Sequence, residues 1–167
     1  MRMEKAGGNY AYIDGANLHK GVAELGWQLD YTRFRTFLRE KYHVTLAYIF
    51  LGYVPEQAAL YGNLQKQGYT IIFKPTLKNS REEIKGNCDA ELVLQAMIDF
   101  ETYDQAVIVT GDGDFACLVS YLQSKNKLCS VISPNPKKCS VLLRRLVPND
   151  HLFLDRFKER LEFKRSK

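Results

Sequence analysis

Residues 107–115 read VIVTGDGDF. Val107, Ile108, Val109 and Thr110 are β-branched and, Thr110 apart, apolar, the composition of a strand buried on both faces. Two glycines and two aspartates follow at once, so the strand ends at Thr110 and the chain turns. From Phe115 the pattern changes to FACLVSYLQSK, with apolar residues three and four apart, which predicts a helix over 115–125. A buried strand, a tight acidic turn and a helix make half of a βαβ unit, and the same alternation continues outward in both directions.

Toward the N-terminus, NCDAELVLQAMIDF (87–100) predicts a helix that is apolar on most faces, at Leu92, Val93, Leu94, Ala96, Met97 and Ile98, and is therefore expected to be well buried. A basic, polar loop is expected from Pro75 to Gly86, preceded by a strand over 69–74. Pro55 suits a first helical position and Gly68 a C-cap, giving a helix between them. Further back lie a strand over 44–53, a helix over 30–42 capped by Asp30 or Thr32, and a first strand over 9–14 that stops at Asp14-Gly15. Toward the C-terminus, a strand is expected at 128–133, broken by Pro134 and Pro136, then a short helix around 138–146 and a tail helix around 155–165. The order β-α-β-α-β-α-β-α-β-α predicts an α/β fold, a Rossmann-like, largely parallel five-stranded sheet with helices on both faces. Residues 1–8 are read as a loose leader, 9–154 as the domain, and 155–167 as a basic C-terminal helix or tail.

At 167 residues the chain is long enough for one domain with a real core, and 26% charged residues fits a globular protein in water. No run of 18 apolar residues is present, so no membrane span is expected, and the first residues lack an apolar signal-peptide core. Cys88, Cys117, Cys129 and Cys139 form no C-x-x-C pair and have no histidine at zinc spacing; they are expected to be reduced and mostly buried, in a cytoplasmic protein. The net charge of +5 suggests an anionic partner. The basic excess lies in 74–86 with Lys74, Lys78, Arg81 and Lys85, in 135–145 with Lys137, Lys138, Arg144 and Arg145, and in the last twelve residues, which hold six basic and two acidic side chains.

In a parallel sheet, ligands sit beyond the carboxyl ends of the strands. Asp14 ends the first strand, Asp112 and Asp114 follow the fourth, and Asp89 opens a helix that starts on the same edge. Each alone has an ordinary explanation: a helix cap, a first-turn acid favoured by the helix dipole (Glu91 likewise), or a turn. Together, four carboxylates from three distant segments at one rim repel one another and must take up protons or cations. Oxygen ligands without sulfur or imidazole favour a hard ion, Mg2+ or Mn2+, and such ions bind phosphate oxygens. A basic surround then suits the rest of a polyanion.

Rival motifs fit less well. GDGDFA matches the dinucleotide fingerprint G-x-G-x-x-A, but its intervening positions are aspartates, close to where a pyrophosphate would lie, and the next strand ends in Ser133-Pro134 without an acid for the ribose. No P-loop and no G-x-S-x-G elbow is present, and His19, His43 and His151 form no triad pattern. A Toprim-like phosphohydrolase also places D-x-D after a strand but needs a glutamate where Asp14 stands.

YIDGANL at the end of the first strand, KGNCDAELVLQAM at a helix start and VTGDGDF after a later strand, in that order, resemble the NYN domain and in particular its LabA-like branch, within the PIN-like nuclease superfamily. The resemblance covers roughly residues 9–154. It implies a PIN-like sheet, an acidic metal centre and cleavage of RNA, single-stranded or structured, by hydrolysis through a water that one or two Mg2+ or Mn2+ ions activate. It places Asp14, Asp89, Asp112 and Asp114 as the metal-holding and catalytic acids, with Asn17 orienting Asp14 or a water. Gly113 departs from the pattern, since serine or asparagine commonly stands between the last two acids. Lys85 beside Asp89 is the foremost phosphate contact expected, with Lys78, Arg81, Lys137 and Lys138 tracking the backbone. Asp99, nearly three helical turns from Asp89, is given no metal role, and Trp27 and Tyr53, though suited to stacking on bases, are read as core. LabA-like relatives are also associated with regulation, so a module that binds RNA or protein with little or no turnover is the alternative. Leu152, Leu154, Phe157, Leu161 and Phe163 of the tail leave open packing on the same domain or a homodimer.

Overall fold

The computed structural model describes residues 7–75, 77–78, 84–85 and 88–166, with the side chains of 77, 78, 84 and 85 left out. Six strands form one sheet: β1 (Asn9–Asp14), β2 (Val44–Tyr53), β3 (Tyr69–Pro75), β6 (Ala106–Val109), β7 (Leu128–Ser133) and β8 (His151–Phe153). Their order across the sheet is β3-β2-β1-β6-β7-β8, every neighbouring pair parallel. A two-stranded antiparallel pair, β4 (Leu77–Lys78) and β5 (Ile84–Lys85), stands where a loop was expected.

Alternation along each strand divides the core in two. Ala11, Ile13, Ala47, Ile49, Val107 and Val109 pack one way, against Leu18 and Val22 of α1 (Gly15–Glu24), Phe34, Phe37 and Leu38 of α2 (Tyr31–Tyr42) and Leu64 of α3 (Ala58–Lys66). Tyr10, Tyr12, Phe50, Ile108 and Val131 pack the other way, against Leu92 and Ala96 of α4 (Asp89–Ile98), Leu118, Val119 and Leu122 of α5 (Ala116–Ser124) and Leu143 of α6 (Val141–Leu146). All four residues of β6 are buried, as an apolar run inside a parallel sheet requires. Among the described residues no helix is long and apolar enough to cross a membrane.

Several expectations need correction. The sheet has a sixth strand, β8, too short at three residues to show a period. Helix α1 lies between Asp14 and the expected helix at 30–42; its Gly15 and Gly21 weaken the helical pattern. Helix α4 is one-sided: Leu92 and Ala96 are buried, whereas Leu94 and Ile98 are 61% and 64% exposed and Met97 is also exposed. Helix α6 begins at Val141 because Ser140 caps it, its hydroxyl accepting from the Leu142 N–H. The tail is helical only through a 3-10 turn (Leu154–Phe157) and α7 (Lys158–Leu161). Beyond it the chain is extended, with Leu29 and Glu162 forming an antiparallel bridge. Leu154 and Leu161 are buried in the α1–α3 side of the core, with Leu152 and Phe157 against it, while Phe163 is 50% exposed. No cysteine is fully buried, and all four are free; Cys117 is exposed and the others half-buried.

The glycines of α1 explain its position. A Cβ on Gly21 would lie 2.4 Å from Pro134 Cγ, and one on Gly15 would lie 2.8 Å from the Phe50 carbonyl oxygen. Helix α1 therefore approaches both β2 and the turn after β7 at backbone distance. Gly62 in α3, by contrast, has open space for 4 Å around the point where a Cβ would stand. Gly62→Ala is expected to stabilise by about 0.5–1 kcal/mol through helix propensity. Gly21→Ala is expected to destabilise by about 1–3 kcal/mol through overpacking, which lowers Tm by about 2–4 °C per kcal/mol. Thermal melts of the two variants check this, and a Gly21→Ala protein as stable as Gly62→Ala contradicts it.

Candidate metal centre

Strands β1 and β6 are the central neighbours of the sheet, and the chain proceeds from them in opposite directions, β1 toward β2 and β6 toward β7. This is the switch point, where the carboxyl ends leave a crevice. Asp14 ends β1 and caps α1, its Oδ1 accepting from the Asn17 N–H at 3.2 Å. Asp112 caps the 3-10 turn Gly113–Phe115 that follows β6, its Oδ1 accepting from the Asp114 N–H at 2.9 Å. Asp89 is the first residue of α4, which packs along β1. Each of Asp14, Asp89 and Asp112 offers a carboxylate oxygen, and the three oxygens lie within 4.8 Å of one another. All three residues are half-buried.

Asp114 is exposed and stands outside that group; its backbone N–H, holding Asp112, is its visible contribution. Asp99 is also outside it, bound by the Tyr12 hydroxyl at 2.8 Å and by the Gln95 amide at 3.1 Å.

Burial is the main cause that lifts the Asp14 carboxyl above the ordinary carboxylate range. The bonds from Asn17 and Thr110 oppose the shift, and the charges of Asp89 and Asp112 add to it. Burial likewise pushes the neighbouring Cys88 thiol up to about 11, with the Glu91 charge adding and Lys74 opposing. Glu91 pairs with Lys74 at 3.8 Å, and its other oxygen is buried without a hydrogen-bond partner.

Two residues fix the acids. Thr110, fully buried, donates its hydroxyl to Asp14 Oδ2 at 3.1 Å and accepts the Asp112 N–H at 3.1 Å. Its carbonyl accepts the Ser133 hydroxyl, which also meets His151 Nε2 at 2.7 Å. Burial and the Arg144 charge lower the His151 pKa to about 4, so this ring is neutral at pH 7. Asn17 Oδ1 accepts the Gly111 N–H at 2.8 Å, tying α1 to the acidic turn. The Ser140 N–H donates to the Gly111 carbonyl at 3.0 Å from the other side. Thr110 is not among the residues expected at the site, because a threonine ending a β-branched run reads as strand. Gly113 sits where a side chain would crowd its neighbour: a Cβ there would lie 2.5 Å from Ser140 Oγ.

The basic residues are distributed unevenly. Lys138 lines a cleft of about 240 Å3 beside the acids, with Asn17, Gly21, Gly111 and Asn135. Lys20 of α1, which no sequence motif marks, lines it too, as does Glu24, which pairs with Lys20 at 4.0 Å. Lys137 is exposed on the same turn but does not line the cleft. Lys78 and Lys85 belong to the β4–β5 pair, their side chains lying outside the described residues, as does all of Arg81.

The NYN domain family model matches residues 10–151. The chain is 29% identical over 133 residues to the low amplitude and bright protein LabA of Synechococcus elongatus, covering 73% of this chain and 71% of that protein. A crystal structure of a protein of unknown function from Vibrio parahaemolyticus shares the fold with a TM-score of 0.77 at 21% identity, covering 98% of this chain and 100% of the other. Matched over most of its length, the chain belongs to the NYN domain family, as a LabA-like member of a family placed within the PIN-like nuclease superfamily.

Proposed function

We propose that this protein is a ribonuclease that hydrolyses RNA phosphodiester bonds with Mg2+ or Mn2+ held at Asp14, Asp89 and Asp112. The observation that carries the reading is the approach of three carboxylate oxygens, from three distant segments, to within 4.8 Å of one another. The donor set fits a hard divalent ion, being all carboxylate with no sulfur or imidazole in the group. Like charges and partial burial oppose ionisation of Asp14, and a cation relieves both. One or two such ions, when bound, supply Lewis acidity toward a phosphate and a water of lowered pKa.

The chain's own residues do the rest. Thr110 and Asn17 hold Asp14, Asp112 and Gly111 in place, so little reorganisation is needed when substrate arrives. Asp114, exposed at the same turn and outside the group, acts on the ion through water. Lys20 and Lys138 line the adjoining cleft and neutralise phosphates flanking the scissile one. Lys137, Lys78, Lys85 and Arg81 extend the basic surround, the last three on the strength of the sequence alone.

Purified protein is expected to cut RNA with Mn2+ or Mg2+ and not in chelator, and Asp14→Asn or Asp112→Asn to abolish cutting with the fold intact by circular dichroism. If both variants cut as fast as the parent, the reading is wrong; if RNA binds and is never cut with either ion, the protein is a binding module.

Thr110→Val and Asn17→Ala test the supporting bonds. Each is expected to lower metal affinity or activity by about 10–100-fold while leaving the acids in place. Calorimetry with Mn2+ and single-turnover cleavage measure the two effects.

The raised Asp14 pKa has a signed consequence. Stability that depends on its protonated form is present below the ordinary carboxylate range and is lost as pH rises through the raised value. Asp14→Asn is therefore expected to gain on the parent as pH rises above the ordinary carboxylate range, melting higher than the parent at neutral pH without metal. Saturating Mn2+ at about 100 times its Kd should raise the parent's stability by about 2.7 kcal/mol and leave Asp14→Asn nearly unmoved. Melts across pH, with and without Mn2+, read both effects.

A further inference from the structure

On the α1–α3 side of the sheet lies a groove of about 650 Å3, bounded by α1, α3 and residues 27–32. Its floor is apolar, made by Leu29, Ile49, Leu51 and Leu64, all part of the core or packed against it. Uncharged amides stand along it, at Gln28, Gln57, Asn63 and Gln67. Among the described residues its lining holds no lysine or arginine. Its one carboxylate, Asp30, already caps α2, accepting the Arg33 N–H at 3.0 Å. Against a phosphate it sets no lysine or arginine, only His19 and the neutral amides. A flat, uncharged group with hydrogen-bonding edges suits it better.

The aromatic side chains give a second, independent sign. Among the described residues, Trp27, Phe115 and Phe163 alone of the tyrosines, phenylalanines and tryptophan make no ring–ring contact. Phe115 is buried in the core. The other two both line this groove, and Phe163 is held there by the extended tail, its N–H donating to the Gln28 carbonyl at 2.8 Å. Leu60, 42% exposed, stands on the α3 side. The groove reaches the start of α1, where Gly15 and Ala16, the residues directly after Asp14, form part of its wall.

We propose that this groove receives an unpaired base of the RNA strand whose backbone lies at Asp14, Asp89 and Asp112, with Trp27 and Phe163 as the stacking surfaces. This rests on the ribonuclease reading. Helix α1 then separates the two halves of a nucleotide's chemistry. The cleft with Lys20 and Lys138 lies on one side and takes phosphate; the groove without lysine or arginine lies on the other and takes base. The strand entering the site must be unpaired near the aspartates, since a paired base cannot enter a groove of this kind.

Trp27 is the only tryptophan in the chain, so its fluorescence reports this site alone. The full-length protein is titrated with a 5′-fluorescein oligoadenylate, Ca2+ replacing Mn2+, while anisotropy reports binding and Trp27 emission reports the groove. The expected result is quenching of Trp27 that saturates with the anisotropy. An abasic ribose-phosphate oligomer of the same length should bind without quenching. Phe163→Ala and Leu60→Ser, both at exposed positions, should weaken oligoadenylate binding by about 5- to 100-fold and leave the abasic oligomer unaffected. Oligoadenylate that binds and is cut in Mn2+ with Trp27 emission unchanged overturns this proposal and leaves the ribonuclease reading standing. Free adenosine quenching as tightly as the oligomer also overturns it, marking a small-molecule pocket. RNA that neither binds nor is cut overturns both.

Discussion

Mutual repulsion among Asp14, Asp89 and Asp112 is the constraint that the rest of the structure answers. Carboxylate oxygens within 4.8 Å of one another at a half-buried rim destabilise the empty fold. The chain holds them there with groups that are themselves firmly placed. Thr110 is fully buried and bonded to Asp14, to the Asp112 N–H and, through its carbonyl, to Ser133. Asn17 spans from α1 to Gly111. A chain with no use for the repulsion would relieve it by letting the turn after β6 relax. Here hydrogen bonds on both sides of Gly111 prevent that relaxation.

The sheet supplies the rigidity on which those bonds depend. Parallel pairing of β1 with β6, from Tyr10 opposite Ala106 to Ile13 opposite Val109, fixes the separation of the two strand ends. Side chains packed on both faces leave β6 no freedom to shift register. Helix α1 is drawn down at Gly15 and Gly21 until its backbone touches β2 and Pro134. That close seating sets the walls of two recesses, the small one with Lys20 and Lys138 and the larger one with Trp27, which has no lysine or arginine among the described residues of its lining. Positive charge and aromatic surface are thus sorted to opposite sides of one helix.

Much of this was legible in the sequence, for identifiable reasons. Apolar runs that stop at an acidic residue gave the strand ends, and the rule that ligands gather at those ends gave Asp14, Asp89 and Asp112 as neighbours. Asp114 was read as an equal member but is exposed outside the group, because a 3-10 turn replaces the first turn of an α-helix there. Thr110 and Ser133 were not legible as supports, since their side chains matter through bonds between strands that no local pattern encodes. Helix α1 was hidden by glycines whose purpose is close approach, and β8 by its length. The outer face of α4, with Leu94, Met97 and Ile98, is exposed despite its apolar composition, which does not say which face meets the sheet. The tail was read as helix to residue 165, yet it extends after Leu161, and that extension carries Phe163 to the groove.

The central claim is that these three aspartates exist to share a divalent ion. Crystals grown with Mn2+ and measured near the manganese absorption edge test it most directly. The account predicts an anomalous peak enclosed by the carboxylates of Asp14, Asp89 and Asp112, with Thr110 and Asn17 keeping the bonds described above. Crystals with ample Mn2+ that show no peak there, or a peak elsewhere with the three carboxylates turned apart, would contradict it.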